Sequence, residues 1–168
     1  EPSVAALLIG KSCRAAELGV RMTLDPESRL SAEPYCLPAS AIITILGNLI
    51  ENAFDAFSAM PAGGGHQVDV SIRESAGGLL LSGDDNGPGM PRELAAHIFE
   101  QGATTKGEGR GTGLFLVKRI TDAFHGEARV ESTQGVGSSF IVAFRREETD
   151  EAPDAGGNSL TAPDGADG

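Results

Sequence analysis

Two asparagines and an aspartate stand at helical spacing in the most strongly amphipathic stretch of the sequence. Asn48 and Asn52 are four residues apart and Asp55 follows three residues later, so a helix would place them along one face, beside its apolar stripe. Asparagine is a mediocre helix former because its amide competes for backbone hydrogen bonds. The pair therefore indicates either a solvated polar face or oxygen ligands for a hard divalent cation, which takes its other ligands from water and phosphates.

A second group of residues comes directly after an expected strand. In the stretch DDNGPGM, residues 84–90, Asp85 is followed by Gly87 and Gly89. Two positions without side chains would let a flat ligand lie close to the backbone. The carboxylate could accept a hydrogen bond from an exocyclic amine such as that of adenine, a contact worth about 1.5–3 kcal/mol. A plain Asp-Asn-Gly turn accounts equally well for the same residues.

Glycines alternate with other residues at the start of the stretch GRGTGLFLVKRI, residues 109–120. Leu114 stands where a dinucleotide-binding fingerprint needs its third glycine, and the P-loop spacing is also missing. What remains is a run of backbone amides that leads into a helix N-terminus, which is a general anion site. An exposed helix end contributes only about 0.3–1 kcal/mol. Further donors are needed, and the same loop holds Thr104, Thr105, Lys106 and Arg110.

The hydrophobic pattern predicts the elements that position these groups. Helices are expected at 3–19, ended by Gly19, at 41–57 and at 114–124, stopped by Gly126, with a short helix-like stretch at 92–100. Strands are expected at 20–24, 67–73, 78–83, 127–132 and 138–145, and the second and third form a hairpin. The fold class is α+β: a two-layer α/β sandwich with a mixed, mostly antiparallel sheet of about five strands, three main helices and a long mobile loop.

The composition is that of a single globular domain with an acidic tail. The chain has 168 residues, is 40% hydrophobic and 22% charged, and carries a net charge of -11. Residues 147–168 hold seven acidic and no basic side chains, which leaves about -4 for residues 1–146. We expect residues 1–146 to fold and residues 147–168 to be disordered. The mild charge of the folded part argues against nucleic acid or an anionic membrane surface as a partner.

The cysteines and the apolar runs indicate the cellular compartment of the protein. Cys13 and Cys36 have no metal-ligand spacing, and we expect both to be buried and unreactive in a reducing cytoplasm. No apolar run approaches the roughly 18 residues that cross a bilayer, and no secretory signal is present. The chain begins with Glu1, so we expect it to be part of a longer protein.

The order of the chemical groups is more specific than any one of them. Asn-x-x-x-Asn, then Asp-x-Gly-x-Gly, then a loop with a phenylalanine, then Gly-x-Gly-x-Gly-Leu resembles the ATP-binding (Bergerat) fold of gyrase, HSP90, histidine kinases and MutL, whose boxes are called N, G1, F and G2. The stretch GVGSSF, residues 135–140, resembles a further box near the last strand, with Ser138 where the family usually has threonine. Thr112 replaces the usual aliphatic residue of G2. The resemblance covers roughly residues 4–145.

The resemblance implies roles for particular residues. Asn52 would coordinate Mg²⁺, and Asn48 would lie near the phosphates or the metal. Asp85 would bind the adenine amino group in a pocket shaped by Gly87 and Gly89, with Ser138 beside the base. Phe99 would anchor a lid at about residues 90–110. The remaining expected nucleotide contacts are Asp55, Thr104, Thr105, Lys106, Arg110, Gly111, Thr112, Gly113 and Leu114, and Lys106 joins Asn48 and Asn52 as catalytic.

One departure selects a branch of the family. Its ATPases have a water-activating glutamate four residues before the metal-binding asparagine, where this chain has Asn48, an amide that cannot act as a general base. Histidine kinases share this departure, and the stretches ALLIGKSCRAAELGV and ILGNLIENAFDAF look like those of citrate and C4-dicarboxylate sensor kinases. The resemblance thus implies a protein-histidine kinase domain that uses ATP and Mg²⁺ and does not autophosphorylate alone.

The same resemblance implies partners and leaves alternatives. The partners are the phosphoacceptor and dimerisation helices of the same kinase and a cognate response regulator. The chain alone would be a monomeric cytoplasmic domain, and the full-length kinase a homodimer anchored in the cell membrane. A nucleotide-binding interaction module, such as a degenerate kinase or an anti-sigma regulator, is the alternative from another class. A self-contained gyrase-type ATPase is disfavoured by Asn48.

Overall fold

The computed structural model describes residues 1–34, 36–61, 63–102 and 112–146. Four helices and five strands follow one another in these residues. In chain order they are α1 (Pro2–Glu17), β1 (Arg21–Leu24), α2 (Ala39–Ser58), β2 (Gln67–Ser75), β3 (Gly78–Asp85), α3 (Arg92–Ala95), α4 (Thr112–Ala123), β4 (Glu127–Thr133) and β5 (Gly137–Arg145).

The strands form one mixed sheet in the order β1-β2-β3-β5-β4. β1 pairs with β2 in parallel, with Met22 opposite Val68. The other three pairs are antiparallel. β2 and β3 are joined by only two residues, as the predicted hairpin requires. The prediction of a mixed, mostly antiparallel sheet of five strands is confirmed.

In the described part of the chain, the helices pack on one face of this sheet and leave the other to solvent. α2 buries nine of its 20 residues, including Ile42, Ile45 and Leu49, at the spacing of one broad helical face. α1 and α4 both pack against α2. On β3 the inward residues Leu79 and Leu81 are buried, whereas Leu80 between them is exposed. This alternation is the physical basis of the two-layer sandwich, since only one face of each strand meets the helices.

The sheet register sorts the residues near the ends of the central strands into two faces. On the helix side, Asp85 of β3 lies opposite Ser138 of β5, which lies opposite Ser132 of β4. On the solvent side, Asp84 lies opposite Ser139, whose hydroxyl donates a hydrogen bond to the Asp84 carboxylate. Neighbouring residues of one strand therefore belong to different environments, and only Asp85 of this acidic pair faces the helices.

The end of α4 differs from the prediction. Gly126 was expected to stop the helix, but the left-handed residue is His125, with φ 57°. The Gly126 N–H donates to the Thr121 carbonyl at 2.8 Å, which closes the helix end. Gly126 is required for a different reason: a β-carbon there would lie 2.5 Å from the Phe144 ring. By contrast, Gly19 ends α1 with φ 70°, as predicted.

Two further predictions are corrected. The helix expected at 92–100 is α-helical only over Arg92–Ala95, after which the chain continues in turns that bury Ile98. Cys13 was expected to be buried but is exposed on α1. Cys36 is half-buried, and burial together with the nearby Glu74 carboxylate raises the pKa of its thiol, which keeps it protonated near neutral pH.

The loop after β1 is tied to the sheet by charge. The Arg73 guanidinium contacts Asp25 at 2.6 Å and Glu27 at 2.9 Å. The backbone N–H of Glu27 and then the Arg73 guanidinium hold the pKa of the Asp25 carboxyl below its ordinary value.

Among the described residues, no helix is both long and apolar enough to span a membrane.

Candidate functional site

A polar strip along α2 forms one wall of the candidate site. Asn48, Asn52 and Ala56 follow at four-residue intervals, so they lie above one another on a single face of the helix. A helix rises about 1.5 Å per residue, so this face extends about 12 Å from Asn48 to Ala56. All three residues are half-buried. The strip therefore lies beside the apolar face of α2, as the spacing predicted.

Each end of the strip contacts one of the glycine-bearing groups. A β-carbon on Gly113, near the start of α4, would lie 2.7 Å from the Asn48 side-chain oxygen. A β-carbon on Gly87, after β3, would lie 3.4 Å from Ala56. The structure thus brings together three groups that are far apart in the sequence, and Asn52 lies midway between the two glycine positions.

The orientation of the Asn48 amide is fixed by its own helix. Its Nδ2 donates a hydrogen bond to the Thr44 carbonyl at 2.8 Å. The Oδ1 atom therefore faces Gly113 and the first amides of α4. An amide has no titratable proton acceptor near neutral pH, so Asn48 cannot activate water as a general base.

Asn52 has the properties of a cation ligand. Among the described residues, its side chain has no hydrogen-bond partner, although it is half-buried. An amide oxygen is one of the ligands that hard divalent cations accept. Asp55 lies one turn further along α2 and is half-buried, and within the described residues no side-chain hydrogen bond joins it to Asn52 or Asp85. The role of Asp55 stays a prediction.

The turn after β3 is built around the Asp85 carboxylate. Its Oδ1 accepts a hydrogen bond from the Gly87 N–H at 2.9 Å, which fixes the rotamer of the carboxylate. A β-carbon on Gly87 would lie 2.8 Å from the same oxygen, so any other residue would push the carboxylate aside. Gly87 therefore holds the Asp85 carboxylate in place and lets the backbone of this turn lie close to Ala56.

Gly89 and Gly137 hold the rest of this turn against the sheet. Gly89 has φ 64°, and a β-carbon there would lie 2.1 Å from the Thr133 carbonyl oxygen. Gly137 has φ 151°, and a β-carbon there would lie 2.0 Å from the Asp85 carbonyl oxygen. Both positions need glycine for conformation and for space. The role predicted for Gly89, to shape a pocket for adenine, stays a prediction.

A cavity of about 590 Å³ opens beside this turn, and its walls include Asp85, Ser132, Ser138 and Arg92. Ser138 is a buried polar residue, 8% exposed. Its hydroxyl lies 2.8 Å from that of Ser132. This side of the candidate site therefore presents oxygen atoms from two neighbouring strands.

Phe99 and Leu114 pack against the hydrophobic core near the site. The Phe99 ring meets the Phe140 ring edge-on, with centroids 6.2 Å apart, and Phe140 belongs to the same strand as Ser138. Leu114 is buried in the first turn of α4. Phe99 thus packs the segment that follows α3 against the sheet, and its role as the anchor of a lid stays a prediction.

Of the glycine-rich stretch, residues 109–120, the structure describes residues 112–120. Thr112 and Gly113 belong to the first turn of α4, with Thr112 exposed. The other predicted phosphate contacts fall outside the described residues: Thr104, Thr105, Lys106, Arg110 and Gly111. Their roles stay predictions.

Sequence reasoning missed Ser132 and Ala56. Ser132 accepts a hydrogen bond from the Met90 N–H at 2.9 Å, so it ties β4 to the segment that follows the Asp85 turn. The alternation of the stretch EARVEST could have placed Ser132 on the inward face, where a polar residue is uncommon. Ala56 gives no such signal, since a small residue on a helix is ordinary.

Comparison with known proteins agrees with this geometry. The family model described as "Histidine kinase-, DNA gyrase B-, and HSP90-like ATPase" matches residues 38–148. The sensor protein CitS of Halalkalibacterium halodurans is 35% identical over 90% of this chain and 28% of its own length. The sensor histidine kinase DcuS of Escherichia coli K12 is 38% identical over 84% of this chain and 25% of its own length. The chain thus spans about a quarter of the curated relatives it matches.

Solved structures give the same fold. Full-length ShkA, in a complex with AMPPNP, has a TM-score of 0.65 at 28% identity and is matched over 84% of this chain and 29% of ShkA. The catalytic domain of the histidine kinase ThkA has a TM-score of 0.63 over 84% of this chain and 93% of that domain. At 21% identity, ThkA supports the fold alone.

The chain belongs to the histidine kinase-, DNA gyrase B- and HSP90-like ATPase family. Within it, the sequence and the structure are those of the ATP-binding catalytic domain of a sensor histidine kinase. The resemblance inferred from the four boxes is therefore confirmed.

Proposed function

We propose that this domain binds Mg²⁺-ATP and presents the γ-phosphate to a histidine on a phosphoacceptor and dimerisation domain outside the chain. The observation that carries the proposal is the α2 strip, whose ends meet Gly113 and Gly87 and whose middle residue is Asn52. The base would lie against Asp85 and the phosphates against the start of α4, where helix amides favour anions. The complex of ShkA with AMPPNP, a relative of the same fold, supports the choice of nucleotide.

The donor set of the strip fits a magnesium ion. Asn52 would supply one oxygen ligand, and phosphate oxygens and water would supply the others. When bound, the ion would neutralise phosphate charge. This chain's own residues position the nucleotide, which is the main protein contribution to phosphoryl transfer. Asn48, an amide directed at Gly113, offers no base to activate water, so the site favours transfer to an external acceptor over hydrolysis.

The proposal for the full-length protein rests on the relatives. Sensor kinases such as CitS and DcuS are about four times longer than the matched region. We propose that the full-length protein is likewise a homodimer anchored in the cell membrane, with this domain in the cytoplasm and a cognate response regulator as the next phosphate acceptor. The composition of residues 1–146 gives no indication of a nucleic-acid partner.

Asn52→Ala should remove the metal dependence of nucleotide binding. Isothermal titration of the 168-residue chain is expected to show ATP binding that weakens when Mg²⁺ is withdrawn. In the variant, affinity in Mg²⁺ should fall by roughly tenfold or more, because even an indirect metal contact is worth that much. Glu51→Ala is the matched control, because Glu51 is the preceding residue of α2 and pairs with Lys11 of α1 at 2.6 Å. A metal effect of unchanged size in Asn52→Ala would exclude Asn52 as the ligand.

Transfer to histidine is tested by restoring the upstream helices. The longer protein, incubated with γ-labelled ATP, is expected to acquire an acid-labile, base-stable phosphate, whereas the 168-residue chain alone is not. Asn52→Ala in the longer protein should abolish the label. ATP binding without any label would instead favour a nucleotide-binding interaction module.

A further inference from the structure

Ser132 contacts three groups through a single hydroxyl. Its Oγ lies 2.9 Å from the Met90 nitrogen, 3.1 Å from the Gly137 carbonyl oxygen and 2.8 Å from the Ser138 hydroxyl. The Met90 N–H can only donate, and the Gly137 carbonyl can only accept. The single hydrogen of Ser132 therefore goes to Gly137.

The use of the Ser132 hydrogen determines which serine donates in the contact between the Ser132 and Ser138 hydroxyls. Because the Ser132 hydrogen is directed to the Gly137 carbonyl, we assign the hydrogen between the two hydroxyls to Ser138. Ser138 then has only lone pairs to present elsewhere. In this arrangement the contacts of Ser132 with Met90 and Ser138 have ordinary hydrogen-bond lengths, and the contact with Gly137 is slightly longer.

Ser138 and Asp85 lie side by side on the cavity wall. They are directly opposite one another on β5 and β3, both line the cavity, and both lie on the face of the sheet that carries the buried Leu81 and Phe140. An ionised aspartate offers only acceptors. With the Ser138 hydrogen directed to Ser132, this part of the wall accepts hydrogen bonds and donates none through these two side chains.

We propose that Ser132 is a positioning residue for base selectivity. Ser132 directs the Ser138 hydroxyl hydrogen away from the cavity. The part of the cavity wall formed by Asp85 and Ser138 then accepts a hydrogen bond from the 6-amino group of adenine and opposes the 6-oxo group of hypoxanthine. The inference rests on the proposed function, since it assumes that the base of ATP lies against Asp85. A purine with an oxygen at position 6 places an acceptor against acceptors, which leaves buried polar atoms without partners.

The test compares the affinities of the 168-residue chain for ATP and inosine triphosphate, which carries the 6-oxo group and no 2-amino group. Wild type should prefer ATP. In Ser132→Ala the Ser138 hydroxyl is released and can donate to the 6-oxo group, so the ratio of the two affinities should fall roughly fivefold. Ser132→Thr keeps the hydroxyl and should restore the ratio. Ser82→Ala, on the solvent face of β3, is the control for loss of a strand serine.

The outcomes separate the two proposals. If wild type binds neither nucleotide, the proposed function itself fails. If wild type prefers ATP but Ser132→Ala leaves the ratio unchanged, the role of Ser132 is overturned and ATP binding stands. Ser138→Ala covers the case in which Ser132→Ala does not fold: it removes the oriented hydroxyl itself, so an unchanged ratio in that variant also overturns the proposal.

Discussion

Asp85→Asn is expected to weaken ATP binding by roughly 10- to 100-fold while leaving the fold intact. The carboxylate is fixed by the Gly87 N–H and lines the cavity, and hydrogen bonds to charged groups contribute about 1.5–3 kcal/mol. An amide in its place would lose the charge and could direct its own NH₂ group at the amine of the base. Titration calorimetry with ATP would measure the affinity, and thermal melting would report the stability.

Asp84→Asn is the matched control for this variant. Asp84 precedes Asp85 on β3 and also borders the cavity, but its side chain lies on the solvent face, where its partner is Ser139. The same chemical change one residue away should therefore leave ATP affinity within about twofold of wild type, as surface substitutions usually have small effects. Equal losses in both variants would show that general charge, and not a base contact, governs binding.

Gly137→Ala should have the largest effect on stability among the glycines of the site. A β-carbon at this position would lie 2.0 Å from the Asp85 carbonyl oxygen, and the residue has φ 151°. Backbone strain costs about 1–3 kcal/mol and overpacking a similar amount, so we expect a loss of roughly 2–5 kcal/mol. For a domain of this size the melting temperature should fall by about 10 °C.

Gly10→Ala shows what the same substitution does without a clash. No atom lies within 4 Å of a β-carbon at Gly10, in the middle of α1. Alanine favours a helix over glycine by about 1 kcal/mol, so Gly10→Ala should melt at a slightly higher temperature than wild type.

If Gly137→Ala melted at the wild-type temperature, the close approach of β5 to the Asp85 turn would be wrong.

Most elements followed from local patterns in the sequence. The period of apolar residues in α2 and the alternation in β2 and β5 are properties of short segments, and the structure has these elements within a few residues of the expected bounds. The identity of the fold needed the order of the four groups, because each group alone fits an ordinary turn or polar face.

Features that depend on packing between distant segments were missed. The sequence His125-Gly126 suggests a glycine cap, yet His125 takes the left-handed conformation, and Gly126 is needed because the Phe144 ring leaves no space for a β-carbon there. Ser132 acquires its role only through the register of β4 on β5. Neither the ring contact nor the register is encoded in the neighbouring residues.

The place of β3 in the sheet has a consequence for local opening of the domain. β3 is hydrogen-bonded to β2 on one side and to β5 on the other, and Leu79, Leu81 and Gly83 are buried beneath the helices. Strands of this kind open only with free energies close to that of global unfolding. Asp85 ends this strand, so the group expected to hold the base is attached to one of the most slowly exchanging parts of the backbone. We therefore expect the local opening that admits or releases a nucleotide to involve the segment that follows Asp85 and not β3.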